Sequence, residues 1–359
     1  MIGGLAVLSE FDKKKKIALI GAALAGVGGA SVAAAVVGYD AMFKRYERPD
    51  YSLYPGLYTI DRMGQALPRQ ELSFISRGVR LAGYLYSAIA PRGLIIVAHG
   101  FHAGADDYLP LIEYMHSVGF TVFSYDVCGT YSSSGDSTVG MCQSLVDIDS
   151  AIDFVKGDES LSSLPMYLIG HSWGGYAATA ILSKQKGVRA AVGIAPMNNG
   201  YTMILEKGEQ YAGKLAAEIP QPVISAYQKI LFGEYTTYSG ARGINDSGIP
   251  VLCIQGVSDK VITYNGQSVS AKRGEITNPN FELLTVKGVL GGHDAIWHSD
   301  RSYIYRSEIE DEIKLLGLNS GRKATDEERR RIISGVNHRL YSEVNFPLME
   351  RIVDFFLRA

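Results

Sequence analysis

Cysteine is scarce and scattered in this chain of 359 residues: Cys128, Cys142 and Cys253 are the only three. No pair forms C-x-x-C and none has a neighbouring His, which excludes a disulfide framework and a structural zinc site and leaves three thiols expected to be buried. Charge of either sign is not in surplus. Lys plus Arg number 35 against 37 Asp plus Glu, a net charge of −2, so no global field exists to hold a polyanion by counterion release, and nucleic acid is not an expected partner. Metal-ligand spacing, a phosphate loop and a dinucleotide fingerprint are all missing, so neither a metal nor a cofactor is expected. With 47% hydrophobic and 20% charged residues, the composition excludes a disordered, collagenous or coiled-coil chain. What is plentiful is Tyr (22) and Gly (40), a mixture suited to tight turns and aromatic-lined clefts.

Long uncharged runs are also few, and one stands out. Lys13 to Lys16 precede 23 uncharged residues, Ile17 to Tyr39, and a bilayer span needs about 20. This predicts a cytoplasmic tail (1–16), a transmembrane anchor (17–39) and a Pro-containing stalk (40–69) carrying a domain of residues 70–359. The slight excess of positive charge before the run directs that domain outside the cytoplasmic membrane. The alternative is a cleaved signal peptide with its cleavage site near Ala33 and Ala35, which gives a secreted protein.

From Glu71 onward the pattern alternates. "LSFIS" and "VRLAGYLYS" flank Arg77-Gly78 like the arms of a hairpin. Six further apolar runs follow: "GLIIVAHG" (93–100), "FTVFSYD" (120–126), "MYLIGHS" (166–172), "RAAVGIA" (189–195), "PVLCIQG" (250–256) and "FELLTVKG" (281–288). Continuous apolar strands separated by helical segments predict an α/β fold, a mostly parallel sheet covered by helices on both faces. Two stretches break the alternation: 197–249, read as a helical cap, and roughly 298–345.

Gly170-His171-Ser172-Trp173-Gly174 fits G-x-S-x-G, with a buried strand before it and a helix after it, the setting in which a Ser is exposed on a sharp turn. A Ser hydroxyl at its free pKa needs a base and an orienting acid. Asp259 follows the run 250–256, and His293 follows 281–288, so both are placed at strand ends on one edge of the sheet. Asp294 competes for the acid role but would have to turn back on its own neighbour. The backbone amides of Phe101 and Trp173 are the candidate oxyanion donors. His99 and His171 are read as hydrogen-bonding residues of their turns. Met203, Ile204 and Leu205 of the cap are the candidate substrate pocket.

With "VAHGF", "GHSWGG", "GVSDKV" and "GGHD" in these positions, residues 71–359 resemble the α/β-hydrolase superfamily, and within it the bacterial branch of monoacylglycerol-lipase-like and serine-aminopeptidase-like enzymes. That branch usually carries an Arg after the Asp in the loop matching "YDVCGTYSSSG" (125–135); Val127 and Cys128 stand there instead. The residues and the resemblance together imply a serine hydrolase (carboxylesterase or lipase-like) with a Ser172–His293–Asp259 triad, acting on a small-molecule ester or lipid-like acyl group. The alternatives are a serine peptidase for short peptides, with Glu206, Glu209 or Glu218 receiving the substrate amine, and a non-catalytic, membrane-bound ligand-binding protein.

Overall fold

Arg77 (φ 44°) and Gly78 (φ 83°) reverse the chain between β1 (Gln70–Ser76) and β2 (Val79–Tyr86), because a two-residue hairpin turn of this hand requires positive φ at both positions. In the computed structural model, which describes residues 29–54, 59–60, 67–212, 221–319 and 324–359, this hairpin is the antiparallel edge of an eight-stranded sheet in the order β1-β2-β4-β3-β5-β6-β7-β8. The other strands are β3 (Leu94–Ala98), β4 (Thr121–Tyr125), β5 (Met166–His171), β6 (Val188–Ile194), β7 (Val251–Gly256) and β8 (Phe281–Val286), and they pair in parallel. The main helices are α1 (Gly29–Met42), α2 (Leu109–Ser117), α3 (Gln143–Gly157), α4 (Trp173–Ala180), α5 (Gly200–Ala212), α6 (Gln221–Phe232), α7 (Gly240–Ser247), α8 (Asp300–Asn319), α9 (Asp326–Ser334) and α10 (Phe346–Arg358).

The apolar runs are continuous because both sides of the sheet are covered. In β3, Leu94, Ile96 and Ala98 join the core beneath α3 and α4, and Ile95 and Val97 join the core beneath α2 and α10. All three cysteines are free and buried.

Three expectations about the flanking segments are corrected. Of the run 17–39, residues 17–28 lie outside the described residues, and the remainder belongs to α1. There Val32, Val36, Tyr39 and, just beyond the helix, Phe43 are buried against Ile204, Val223 and Tyr227 of the cap. Their spacing of three and four residues makes one apolar stripe, and that stripe faces protein. No helix among the described residues is long and apolar enough to cross a membrane.

The described part of the stretch expected as a stalk, 40–69, is built into the domain. Tyr46 donates its amide to the Gly129 carbonyl (2.9 Å) and accepts from the Tyr131 amide (3.0 Å). The Arg45 guanidinium donates from Nη1 to the carbonyls of Ser133 (2.8 Å) and Gly135 (2.9 Å), and from Nη2 to that of Tyr131 (2.5 Å). The loop after β4, which lacks the Arg that the resemblance implies, is thus held by an Arg from far upstream. Five donors in a rigid fork suit a guanidinium to satisfying several loop carbonyls at once.

The third correction trims the cap. Helices α5 and α6 form it, but α7, within the predicted 197–249, returns to the sheet: Ile244 is fully buried, and a Cβ on Gly243 would lie 2.2 Å from the Thr179 carbonyl oxygen of α4. The described residues of 298–345 form a second helical insertion. Its own small core is Ile309, Val336 and Tyr341, and it meets the segment 40–54, an N-terminal strap laid on the domain, where Arg330 pairs with Asp50 at 3.2 Å.

Candidate active site

Ser172 lies between β5 and α4 with φ 56° and ψ −111°. A non-Gly residue held there stores about 1–3 kcal/mol of backbone strain, which the flanking packing must hold. Glycine is required on both sides: a Cβ on Gly170 would lie 2.0 Å from the Gly174 carbonyl oxygen, and one on Gly174 would lie 2.0 Å from that of Ala98. The turn therefore packs backbone on backbone against β3. Trp173 opens α4, so its amide has no acceptor within the helix.

Two other strand ends deliver the partners. Asp259, 4% exposed, follows β7; its Oδ1 accepts from the amides of Val261 and Ile262, both at 2.8 Å. Its Oδ2 accepts from Gln255 Nε2 (3.2 Å) and lies 2.8 Å from His293 Nδ1. His293, in the loop after β8, brings Nε2 to 2.9 Å from Ser172 Oγ. With the carboxylate on Nδ1, the proton belongs on that nitrogen and the Nε2 lone pair faces the hydroxyl. Asp294 is exposed, and the His293 Nδ1 contact belongs to Asp259.

His99 and His171 wire the loops together. The Gly100 amide donates to Tyr108 Oη (2.9 Å), that hydroxyl donates to His171 Nδ1 (2.8 Å), and His171 Nε2 donates to the carbonyl of His293 (3.2 Å). His99 Nδ1 donates to the Gly100 carbonyl (2.7 Å), and its Nε2 accepts from the Val127 amide (2.9 Å). Burial pushes both imidazoles down to about 4, with the neighbouring His293 adding to the effect on His171. Both are therefore neutral near pH 7, as these bonding patterns require. His171, His293 and Asp294 bring ligand-type atoms within 4.8 Å of one another, but every ring nitrogen of the two histidines already has a protein partner, so the trio is not a free metal-binding set.

Ser172, His293, Phe101 and Trp173 border a cavity of about 1080 Å³. Met203 lines it. Ile204 does not: it is buried against Val32 and Val36 of α1, and Leu205 is not on the lining either, because adjacent helix positions face different ways. Much of the wall comes from residues the sequence reading passed over. Met42, Tyr46, Leu53 and Tyr54 come from the strap, and Trp297 and Arg306 from the region after His293. The density of Tyr in 46–58 was the available signal.

A family model described as serine aminopeptidase, S33 (Hydrolase_4), matches residues 89–229. Polyketide transferase grgF from a Penicillium species is 27% identical over 135 residues, covering 36% of this chain and 46% of that protein. Uncharacterized protein YfhR of Escherichia coli O157:H7 is 28% identical over 195 residues, covering 52% and 61% respectively. The chain thus spans about half the length of these curated relatives. Among solved structures, the esterase Pf2001 of Pyrococcus furiosus matches with a TM-score of 0.51 at 20% identity, over 73% of this chain and 95% of that one. Est1E from Butyrivibrio proteoclasticus, with ferulic acid bound, matches with a TM-score of 0.50 at 19% identity, over 69% and 99%. At such identities the likeness to solved structures is one of fold. Sheet order and the strand-to-helix turn at Ser172 define the α/β-hydrolase fold. The segment 89–229, which holds Ser172, is similar to the serine aminopeptidase family.

Proposed function

We propose that the protein is a serine hydrolase that cleaves carboxylic esters or lipid-like acyl groups through an acyl-enzyme. One observation carries this reading: Ser172 Oγ, the His293 ring and the Asp259 carboxylate stand in unbroken hydrogen-bonding order at 2.9 and 2.8 Å beside the cavity. His293 Nε2 takes the Ser172 proton as Oγ adds to the acyl carbon, and Asp259 stabilises the imidazolium. The carbonyl oxygen becomes an anion facing the amides of Phe101 and Trp173. The proton then passes from Nε2 to the leaving alkoxide as the C–O bond breaks. Water repeats the sequence on the acyl-enzyme and releases the acid.

The predominantly apolar cavity favours acyl groups over charged peptides. Of the cap acids considered for an amine, Glu206 accepts from Thr263 Oγ1 at 3.3 Å; the side chain of Glu209 and all of Glu218 lie outside the described residues. Fluorophosphonate labelling, together with turnover of a panel of acyl esters and aminoacyl amides, tests the reading with Ser172→Ala as control. Ester turnover and labelling that vanish in Ser172→Ala are expected. Turnover of amides only would support the peptidase alternative, and no labelling at all would overturn the hydrolase reading.

The Lys13–Lys16 run motivates a separate proposal, attachment to the cytoplasmic membrane with the hydrolase domain outside. The burial of Val32 and Val36 on the cap weighs against both a span reaching residue 39 and a cleavage site near Ala33. Fractionation with N-terminal sequencing tests it. A mature chain beginning after residue 30 in the soluble fraction would favour secretion.

A further inference from the structure

Five aromatic rings touch in series from the cap to the residue after Ser172. Tyr227 of α6 meets Tyr39 of α1 edge to face at 5.4 Å, and Tyr39 lies 4.7 Å from Phe43. Phe43 meets Phe101 at 5.7 Å and 66°, and Phe101 meets Trp173 at 5.2 Å and 90°. Both ends are pinned by polar groups: Tyr227 Oη donates to Asp40 Oδ1 (3.0 Å), and Trp173 Nε1 donates to the Met141 carbonyl (2.6 Å). The middle is pinned by backbone. The Phe43 carbonyl accepts from the Thr138 amide at 2.8 Å, and Arg45 holds the same loop two residues later through its three carbonyls.

The two candidate oxyanion donors are not equally secured. The Trp173 amide is fixed by the first turn of α4. The Phe101 amide belongs to an irregular turn, followed by His102 at φ 55°, outside any helix or ladder. The Gly100 carbonyl of the same planar peptide accepts from His99 Nδ1 at 2.7 Å, which fixes one side of that plane; on the other side the amide's direction depends on where the Phe101 ring is seated. That ring rests on Phe43, which is 1% exposed, on His102 at 4.1 Å and on Trp173. His102 is in turn stacked on Tyr46 of the strap at 5.0 Å. Two of the three supports therefore trace back to residues 43–46, upstream of every strand.

We infer that the N-terminal strap is part of the catalytic apparatus, with Phe43 a positioning residue that acts through the Phe101 ring to aim the Phe101 amide at the developing oxyanion. The inference rests on the reading of Ser172 as the nucleophile. It makes oxyanion geometry depend on α1 being docked on the cap. The substrate itself need not touch Phe43.

The experiment compares Phe43→Ala and Phe43→Leu with wild type in the full chain, using a short acetyl ester, a trifluoromethyl ketone and the matching methyl carbinol. The trifluoromethyl ketone accepts Ser172 Oγ at its carbonyl carbon, passes the Ser proton to His293 and leaves an alkoxide in the oxyanion position; the carbinol binds without forming that bond. Site counts come from end-point fluorophosphonate titration, so a misfolded fraction does not enter kcat. In Phe43→Ala, kcat per site is expected to fall by about 10- to 100-fold with KM within about 2-fold. Trifluoromethyl ketone affinity should fall by the same factor and carbinol affinity should hold. Phe43→Leu, which refills most of the volume, should recover most of the loss. If Phe43→Ala does not fold, Tyr39→Leu, one ring further out, should lower kcat and ketone affinity together. Unchanged kcat per site, or ketone and carbinol affinities that fall in parallel, would overturn the inference and leave Phe43 a packing residue of the strap. Failure of the wild type to titrate would instead refute the hydrolase reading itself.

Discussion

His171 donates from Nε2 to the backbone carbonyl of His293 at 3.2 Å, so the residue before Ser172 holds the loop that carries the facing imidazole. Neutral His171 can do this while accepting from Tyr108; protonated His171 cannot. Its folded pKa is depressed from 6.5 to about 4 by burial and by His293. The unfolded chain thus takes up this proton first as pH falls, and the stability the group contributes is complete above about 6.5 and lost on acidification toward 4. A shift of this size corresponds to an amount on the order of 3 kcal/mol. Asp107, raised by burial to about 6, has the opposite sign and gains stability as pH falls below 6. The measurement is therefore a difference: denaturant unfolding of wild type and His171→Gln from pH 7 to 4, with the wild-type curve falling more steeply by up to one proton. Parallel curves would mean that His171 titrates normally.

Ser172→Ala and His293→Ala are each expected to reduce ester turnover below about a hundredth of wild type with the far-ultraviolet spectrum unchanged. Asp259→Asn should also be severely impaired, because the Asn amide cannot hold His293 in the same tautomer. Asp294→Asn, altering an exposed side chain, should stay within a few-fold of wild type. Inactive Asp294→Asn beside active Asp259→Asn would reverse the acid assignment.

Gly174→Ala places a Cβ 2.0 Å from the Ala98 carbonyl oxygen, backbone that cannot step aside. Insoluble protein, or a melting temperature lowered by many degrees, is expected. A folded variant with normal turnover would show that β3 and the Ser172 turn can separate.

A chain beginning at Glu47 retains every strand and all three polar residues of the site, yet it lacks Phe43 and Arg45. Losing a buried Phe costs about 3–5 kcal/mol, and losing a charged donor about 1.5–3 kcal/mol. Such a chain is expected to be poorly soluble or inactive, whereas one beginning at Gly29 should match the full chain in fluorophosphonate titration. Equal titration of both would mean that the strap is dispensable.

In the cap, Met203 and Ile204 should separate cleanly. Met203→Ala enlarges the cavity wall and is expected to shift preference toward longer acyl chains by about 10-fold. Ile204→Ala should lower stability by about 2–5 kcal/mol and leave chain-length preference alone. Kinetics on acetyl, butyryl and octanoyl esters with parallel melting curves check both.

The sequence by itself determined the sheet and the chemistry-bearing turns. Runs such as 93–100 and 166–172 are apolar throughout because a doubly covered strand has no solvent face, and Gly170 and Gly174 are legible because backbone crowding leaves no room for a Cβ. The placement of Ser172, Asp259 and His293 was legible because each follows a strand at one edge of the sheet, which local pattern is enough to locate. Tertiary structure decided the rest. The residues of α1 read as lipid-facing because an Ala- and Val-rich helix has the same composition whether protein or lipid covers it; only contact with Val223 and Tyr227 distinguishes the two. Likewise Arg45 and the loop at 131–135 lie about 90 residues apart. A side chain that satisfies carbonyls at that separation leaves no periodic trace in either segment, so the strap became visible as part of the active-site wall only when the chain was folded.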